Sequence, residues 1–255
     1  MVPSPFFYTV VAGLSTGLGG VLAAAVRPSR RALDACMGFA AGVMLAISLA
    51  DLAPAAIGFY GSYLTPAATA AAVALLLGLG AVLAALLSRL LPEEAALAKL
   101  CRGDGQRTAV LRAGLAVAAA LVLHNLPEGV LTLFSGAADP ALGRRTALAV
   151  ALHNIPEGLA IAAPLAWATG KRWQAVGAAL ASGLAEPLGA LLAWGLLRGV
   201  LTPALLNGTV AVVAGVMLWV ALAELLPQAL RAGRAGAAGA AAGCLTMLLG
   251  VAVLG

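Results

Sequence analysis

The sequence predicts an all-α polytopic membrane protein: a bundle of eight transmembrane helices in which an inverted repeat, helices 1–3 against helices 6–8, surrounds helices 4 and 5. Three observations carry this reading. Of 255 residues, 62% are hydrophobic and 10% charged, whereas soluble domains carry roughly 25% charged residues. Fifteen Lys and Arg with ten Asp and Glu cannot coat a chain of this length, so the lipid bilayer is its solvent. Apolar runs of about 20 residues recur from end to end, which reads as one membrane domain over 1–255 and excludes a soluble domain on an anchor. The runs are Ala/Leu/Val/Gly continua without apolar/polar alternation, which excludes a transmembrane barrel.

In chain order the runs fall at about 6–26, 33–57, 64–89, 113–135, 144–168, 173–197, 204–227 and 235–254. Met1 to Phe7 lacks the basic start of a secretory signal, so the first run is expected to be retained as a helix. The connection over about 91–112, with Pro92, Glu93, Glu94, Lys99, Arg102, Asp104 and Arg107, is the only stretch of soluble composition and is expected to be a mobile loop. Twelve basic residues follow the odd-numbered runs: Arg27, Arg30, Arg31, Arg89, Lys99, Arg102, Arg107, Arg112, Lys171, Arg172, Arg231 and Arg234. Only Arg144, Arg145 and Arg198 lie on the other side. The positive-inside rule then puts the odd-numbered connections in the cytoplasm and both termini outside. The net charge of +5 records these loops and not a nucleic-acid partner. Cys36, Cys101 and Cys244 are scattered, with no C-x-x-C pair, and read as ordinary thiols. Gly170-Lys171 lacks the glycine frame of a P-loop, so ATP is not a direct energy source. The oligomeric state is left open, a homodimer included.

The segment Gly42–Pro54 (GVMLAISLADLAP) matches Gly215–Pro227 (GVMLWVALAELLP) at 8 of 13 positions, pairing Met44 with Met217, Asp51 with Glu224 and Pro54 with Pro227. Ala12–Ala24 lines up with Ser182–Trp194 at nearly the same offset and sets Thr16 opposite Glu186. Helices 2 and 7 differ in parity and run oppositely through the membrane, so the copies are inverted. Inverted copies with interrupted helices are typical of secondary transporters.

Between the copies lie two near-identical hexapeptides, His124-Asn125-Leu126-Pro127-Glu128-Gly129 and His153-Asn154-Ile155-Pro156-Glu157-Gly158, holding both histidines of the chain. At about 100° per residue each hexapeptide projects its His, Asn and Glu from one sector, and two antiparallel neighbours can pool six such groups. Pro127 and Pro156 cannot donate to the carbonyls of Leu123 and Leu152, and Glu186-Pro187 in helix 6 repeats the carboxylate-plus-proline arrangement. Asn125 and Asn154 suit either a cation or the broken backbone.

An ionised acid at mid-helix costs roughly 2.5–3.5 kcal/mol, so Glu128, Glu157 and Glu186 unpaired would cost on the order of 8–10 kcal/mol. Every Lys and Arg lies in a connection or at a helix end, so the missing positive charge comes from outside, as a metal cation or protons. Two imidazoles, three carboxylates and two amide oxygens suit Zn²⁺, Fe²⁺, Mn²⁺ or Cd²⁺ better than Cu⁺, Mg²⁺ or Ca²⁺. Met44, Asp51 and Glu224 are accessory candidates for a pathway, against packing for Met44 and a solvated helix end for the acids. Two other readings stand beside metal transport: an intramembrane metalloenzyme, which would lack H-E-x-x-H and a separate base, and a proton-coupled carrier of an organic solute.

With both HN-x-PEG hexapeptides and the eight runs in view, the chain resembles the ZIP family of divalent metal transporters, especially its bacterial, GufA-like branch. The resemblance implies an eight-helix bundle with extracytoplasmic ends in the inner, cytoplasmic membrane of the cell, and uptake of Zn²⁺, with Fe²⁺, Mn²⁺ or Cd²⁺ as further substrates and no prosthetic group. It implies a metal centre, often binuclear, ligated by His124, Asn125, Glu128, His153, Asn154, Glu157 and Glu186, with Met44 at a helix 2 position that contributes in some relatives. The chain departs from the family pattern in carrying Asn154 where many relatives have Asp, no histidine in the loop from Pro92 to Arg112, and Ala223 before the helix 7 acid.

Overall fold

The computed structural model describes residues 4–25, 29–197, 202–231 and 233–254. Eight helices are long and apolar enough to cross a membrane: α1 (Pro5–Ala25), α2 (Arg30–Gly61), α3 (Pro66–Arg89), α4 (Gly105–Ala138), α5 (Pro140–Thr169), α6 (Arg172–Leu196), α7 (Pro203–Arg231) and α8 (Arg234–Val253). Among the described residues there is no strand. The chain is an all-α polytopic membrane bundle. Arg27 and Arg198, which enter the charge asymmetry, lie outside the described residues.

Helix boundaries follow from capping. Ser29, Thr65, Asp104, Asp139 and Thr202 each accept a backbone N–H of the following first turn, and Pro66, Pro140 and Pro203 occupy the first helical position. Gly170 ends α5 at φ 74°, a left-handed conformation that glycine adopts without penalty. These caps carry α4 well beyond its apolar run: 34 residues rise about 51 Å against a hydrocarbon core of roughly 30 Å. The connection expected over 91–112 carries helical structure of its own. Glu94–Leu100 forms a short helix against α4, and residues from Gly105 onward are already α4. Leu97 and Cys101 are buried, because the short helix is amphipathic and covers the core with one face.

Helices α4 and α5 pack on each other and form the centre, with α1 and α6 on one flank and α2 and α7 on the other. Most of the apolar windows of α3 and α8 is exposed, so these two helices are peripheral. Exchanging α1 with α6, α2 with α7, α3 with α8 and α4 with α5 maps the packing onto itself: α2 with α8 becomes α7 with α3, α1 with α5 becomes α6 with α4, and α2 with α5 becomes α7 with α4. Helices α2 and α7 also widen into π-helical turns, at Ser48–Leu52 and Val220–Leu225. Asp51 and Glu224 sit within these turns, which re-aim side chains off the regular helical stripe.

Backbones in the central group touch. A methyl on Gly158 would overlap the Thr16 carbonyl, and one on Gly129 the Glu186 carbonyl; Gly13 and Gly183 face each other's carbonyls in the same way. In lipid, where helix association rests on close packing and not on expulsion of water, such approaches fix helix position. Gly158→Ala should therefore destabilise the protein by about 1–3 kcal/mol, read as a lowered thermal midpoint in detergent. Gly78→Ala, which meets open space, should leave the midpoint unchanged.

Candidate metal centre

Pro127 lies inside α4 and Pro156 inside α5, and both helices run on through them. Only α6 is interrupted near its acid, at Leu184 between helical segments Arg172–Gly183 and Ala185–Leu192, so that Glu186 sits in the first turn of the second segment. Local dipoles favour a carboxylate in such a first turn.

The two hexapeptides meet at the bundle centre. His153 Nε2 lies 2.6 Å from Glu128 Oε1. His124 Nε2 lies 3.3 Å from both Glu128 Oε2 and Glu157 Oε1. The imidazole centroids are 6.4 Å apart. One donor atom from each of His124, Glu128 and His153 falls within 4.8 Å of the other two, the spacing of a set able to close on a single ion. All seven residues named from the sequence are buried, Asn125, Asn154 and Glu186 fully so.

The asparagines show why amides stand here. Asn125 Nδ2 donates to the Ser182 carbonyl of α6 at 3.0 Å, and Asn154 Nδ2 donates to the Ala12 carbonyl of α1 at 2.9 Å and to Glu186 Oε1. They thus tie α4 and α5 to neighbouring helices and not to the carbonyls of their own. Each leaves Oδ1 buried and unpartnered. So are Glu157 Oε2, Glu186 Oε2 and Nδ1 of both histidines, while Glu128 Oε2 and Glu157 Oε1 have only the shared His124 Nε2 at 3.3 Å. Among the described residues no Lys or Arg nitrogen comes within 4 Å of Glu128, Glu157 or Glu186. Buried acceptors in this number, with no Lys or Arg among them, are chemically suited to hold a cation.

The accessory candidates separate. Met44 is buried with Met217, Leu121 and Ile161 in the apolar core, where it packs among hydrocarbon. Asp51 is exposed and lines a cavity that also reaches His153. Glu224 is half-buried and accepts a hydrogen bond from Ser88 of α3 at 3.1 Å. Four buried hydroxyls have no partner: Thr16, which the repeat sets opposite Glu186, and Ser48, Thr69 and Thr132, which the sequence did not single out. Thr132 stands one turn past Glu128, so helical spacing alone placed it on the ligand face. The carbonyl acceptors Ala12 and Ser182 carried no side-chain signal, but they are the paired first positions of the α1/α6 alignment.

Residues 93–255 match the family described as ZIP Zinc transporter. The chain is 41% identical over 241 residues to the zinc transporter ZupT of Corynebacterium efficiens, covering 90% of this chain and 88% of that one. It is 39% identical to the zinc transporter ZupT of Akkermansia muciniphila (89% and 88% covered) and 35% identical to that of Streptococcus mutans (90% and 88% covered). These relatives are transporters and not enzymes, and the chain belongs to the ZIP family of zinc transporters.

Proposed function

We propose that this protein carries divalent transition metal ions, zinc first and iron, manganese or cadmium after it, inward across the cell membrane. They pass through the site formed by His124, Asn125, Glu128, His153, Asn154, Glu157 and Glu186. The ion is the substrate and not a resident cofactor. The observation that carries this reading is the set of three buried carboxylates whose free oxygens face no Lys or Arg. An ion entering that set replaces its hydration shell with carboxylate, imidazole and amide donors, which offsets the cost of holding the acids in low dielectric. Protons would satisfy the carboxylates alone, but the imidazoles interleaved with them favour a metal of zinc's character.

The two-fold exchange of packing partners supports an inverted repeat of α1–α3 and α6–α8 about α4 and α5. Contacts around the site obey the same exchange: Asn125 to Ser182 answers Asn154 to Ala12, and Gly129 against Glu186 answers Gly158 against Thr16. Such a scaffold reaches two arrangements, related by the same two-fold exchange, at similar energy, which gives alternating access to the central site. Asp51 and Glu224 serve the outer and inner arms of the pathway.

Glu128→Gln and His153→Ala should abolish zinc uptake while leaving membrane abundance near normal, since the first change relieves a buried charge and creates none. Uptake at the unmodified rate by either variant in sealed vesicles would sink the metal-site reading. For topology, single cysteines at Gly105 and Ala141 in a chain lacking Cys36, Cys101 and Cys244 should react with an impermeant thiol reagent from opposite faces, Ala141 from outside. Ala141 is exposed, whereas Gly143 abuts Gly136.

Stoichiometry follows from charge. Glu128, Glu157 and Glu186 supply a formal −3, enough to neutralise one divalent ion and short of two. Asn154 moreover donates to Glu186, where an aspartate would repel it. Titration calorimetry with Cd²⁺ should show one tight site, and Asn154→Asp should raise the stoichiometry toward two, because a second ion needs the added ligand charge. Two equally tight ions in the unmodified protein would refute the charge argument.

A further inference from the structure

Between α2, α5 and α8 lies a cleft of about 510 Å³. Its polar lining comes from Asp51, Arg145, Thr146, Thr246 and His153, set in a wall that includes Val43, Ile47 and Met247. His153 is shared. Its Nε2 faces Glu128 at 2.6 Å, while its buried Nδ1 has no partner. Along α5, Thr146, Ala149, His153 and Pro156 all line the cleft, and their three- and four-residue spacing makes them one stripe of the helix. Arg145 stands two turns before His153, about 12 Å along the axis. Among the described residues Asp51 and Arg145 form no ion pair within 4 Å, with each other or with another residue.

The equivalent region on the other half of the molecule is shut. The 29-residue offset between the hexapeptides sets Val117 against Thr146, Ala120 against Ala149 and Ala116 against Arg145. Val117 and Ala120 are buried in the apolar core with Ala84, Val216 and Val220. Glu224, matching Asp51 in the sequence repeat, is held by Ser88. One half therefore presents a polar stripe and an uncommitted carboxylate in an open cleft, and the other presents packed hydrocarbon and a hydrogen-bonded acid.

We propose that the α2/α5/α8 cleft is the route by which metal reaches the central site, with Asp51 the capturing carboxylate that hands the ion to His153 and Arg145 the opposing charge that weakens capture. The proposal rests on the metal-site reading and on the topology that puts the N-terminal end of α5 outside. A carboxylate in a cleft with low-dielectric walls concentrates divalent cations more strongly than one on open surface, and a guanidinium in the same cleft works against it. Asp51 acts on capture and not on the tight site, so its effect belongs in KM.

Zinc uptake into sealed vesicles, with Cd²⁺ titration of the purified protein alongside, tests this. Asp51→Asn should raise KM by about 3- to 10-fold with the maximal rate held within about 2-fold, and Arg145→Gln should lower KM by a similar factor, both effects shrinking in high salt. Cd²⁺ affinity at the tight site should be unmoved in both variants. Thr146→Cys, in the chain without its native cysteines, should react with impermeant thiol reagent from outside and react more slowly with Zn²⁺ present. An unchanged KM in Asp51→Asn, KM shifts of the same sign in both variants, or an inert Thr146→Cys would overturn the proposal. Loss of tight Cd²⁺ binding in Asp51→Asn would also overturn it, by making Asp51 a ligand of the central site. Normal uptake by Glu128→Gln removes the central site itself; a dead Glu128→Gln beside a kinetically silent Asp51→Asn removes only the capture step.

Discussion

The rest of the structure depends on keeping three carboxylates in the middle of a lipid-embedded bundle without a protein cation. Glu128, Glu157 and Glu186 are buried where water cannot solvate them, and the arginines lie at the ends of the helices. At the end that the charge asymmetry places in the cytoplasm, Arg30 pairs with Asp34 at 3.0 Å, and Arg30 and Arg107 stack on Trp167 at 5.1 and 5.6 Å. Those contacts join α2, α4 and α5 far from the acids. The acids are met locally by imidazoles and amides, which do not fill every acceptor. What remains unsatisfied is the capacity that the proposed metal-site reading draws on.

Holding such a set requires close backbones. The asparagine amides reach carbonyls on α1 and α6 at hydrogen-bond distance, and they do so because glycines let α1 approach α5 and α6 approach α4 until carbonyl oxygens rest on Cα atoms. A bulkier residue at Gly129 or Gly158 would push the flanking helix away and strand the amide it receives. Site geometry and helix packing are therefore one constraint, and the interruption of α6 at Leu184 belongs to it, turning Glu186 toward Asn154.

How much of this was legible in the sequence differs by kind. The eight spans, the paired hexapeptides and the burden of the three glutamates were readable because hydropathy, identity of motif and charge cost are local properties. Boundaries were less so. The extension of α4 back to Gly105 is decided by the Asp104 cap and two charged turns, which hydropathy discards. The seven-residue helix at Glu94–Leu100 was hidden because its soluble composition concealed one apolar face. Least legible were contacts between helices: nothing in a linear reading says that Asn154 donates to Ala12, that Ser88 holds Glu224, or that Asp51 shares a cavity with His153. The π-helical turns, which aim both acids, leave no mark in the residue pattern beyond the repeat itself.

The repeat explains why the site is built from near-equivalent halves, but a perfectly repeated chain would bind and release equally on both sides. The departures supply the difference. Glu186 stands where α1 carries Thr16, and Thr146 and Arg145 stand where α4 carries Val117 and Ala116. If the scaffold alternates as proposed, a bias of about 1.4 kcal/mol from such substitutions already changes the ratio of its two arrangements tenfold. In the proposed cycle the apolar packing of Val117, Ala120 and Leu121 closes one arm without any charged latch, and opening that arm to water exposes hydrocarbon at a cost proportional to its area. Under the proposed mechanism the central charge balance tips that equilibrium: a formal −3 becomes −1 when a divalent ion enters, and the ion selects the arrangement that tolerates the less charged site better.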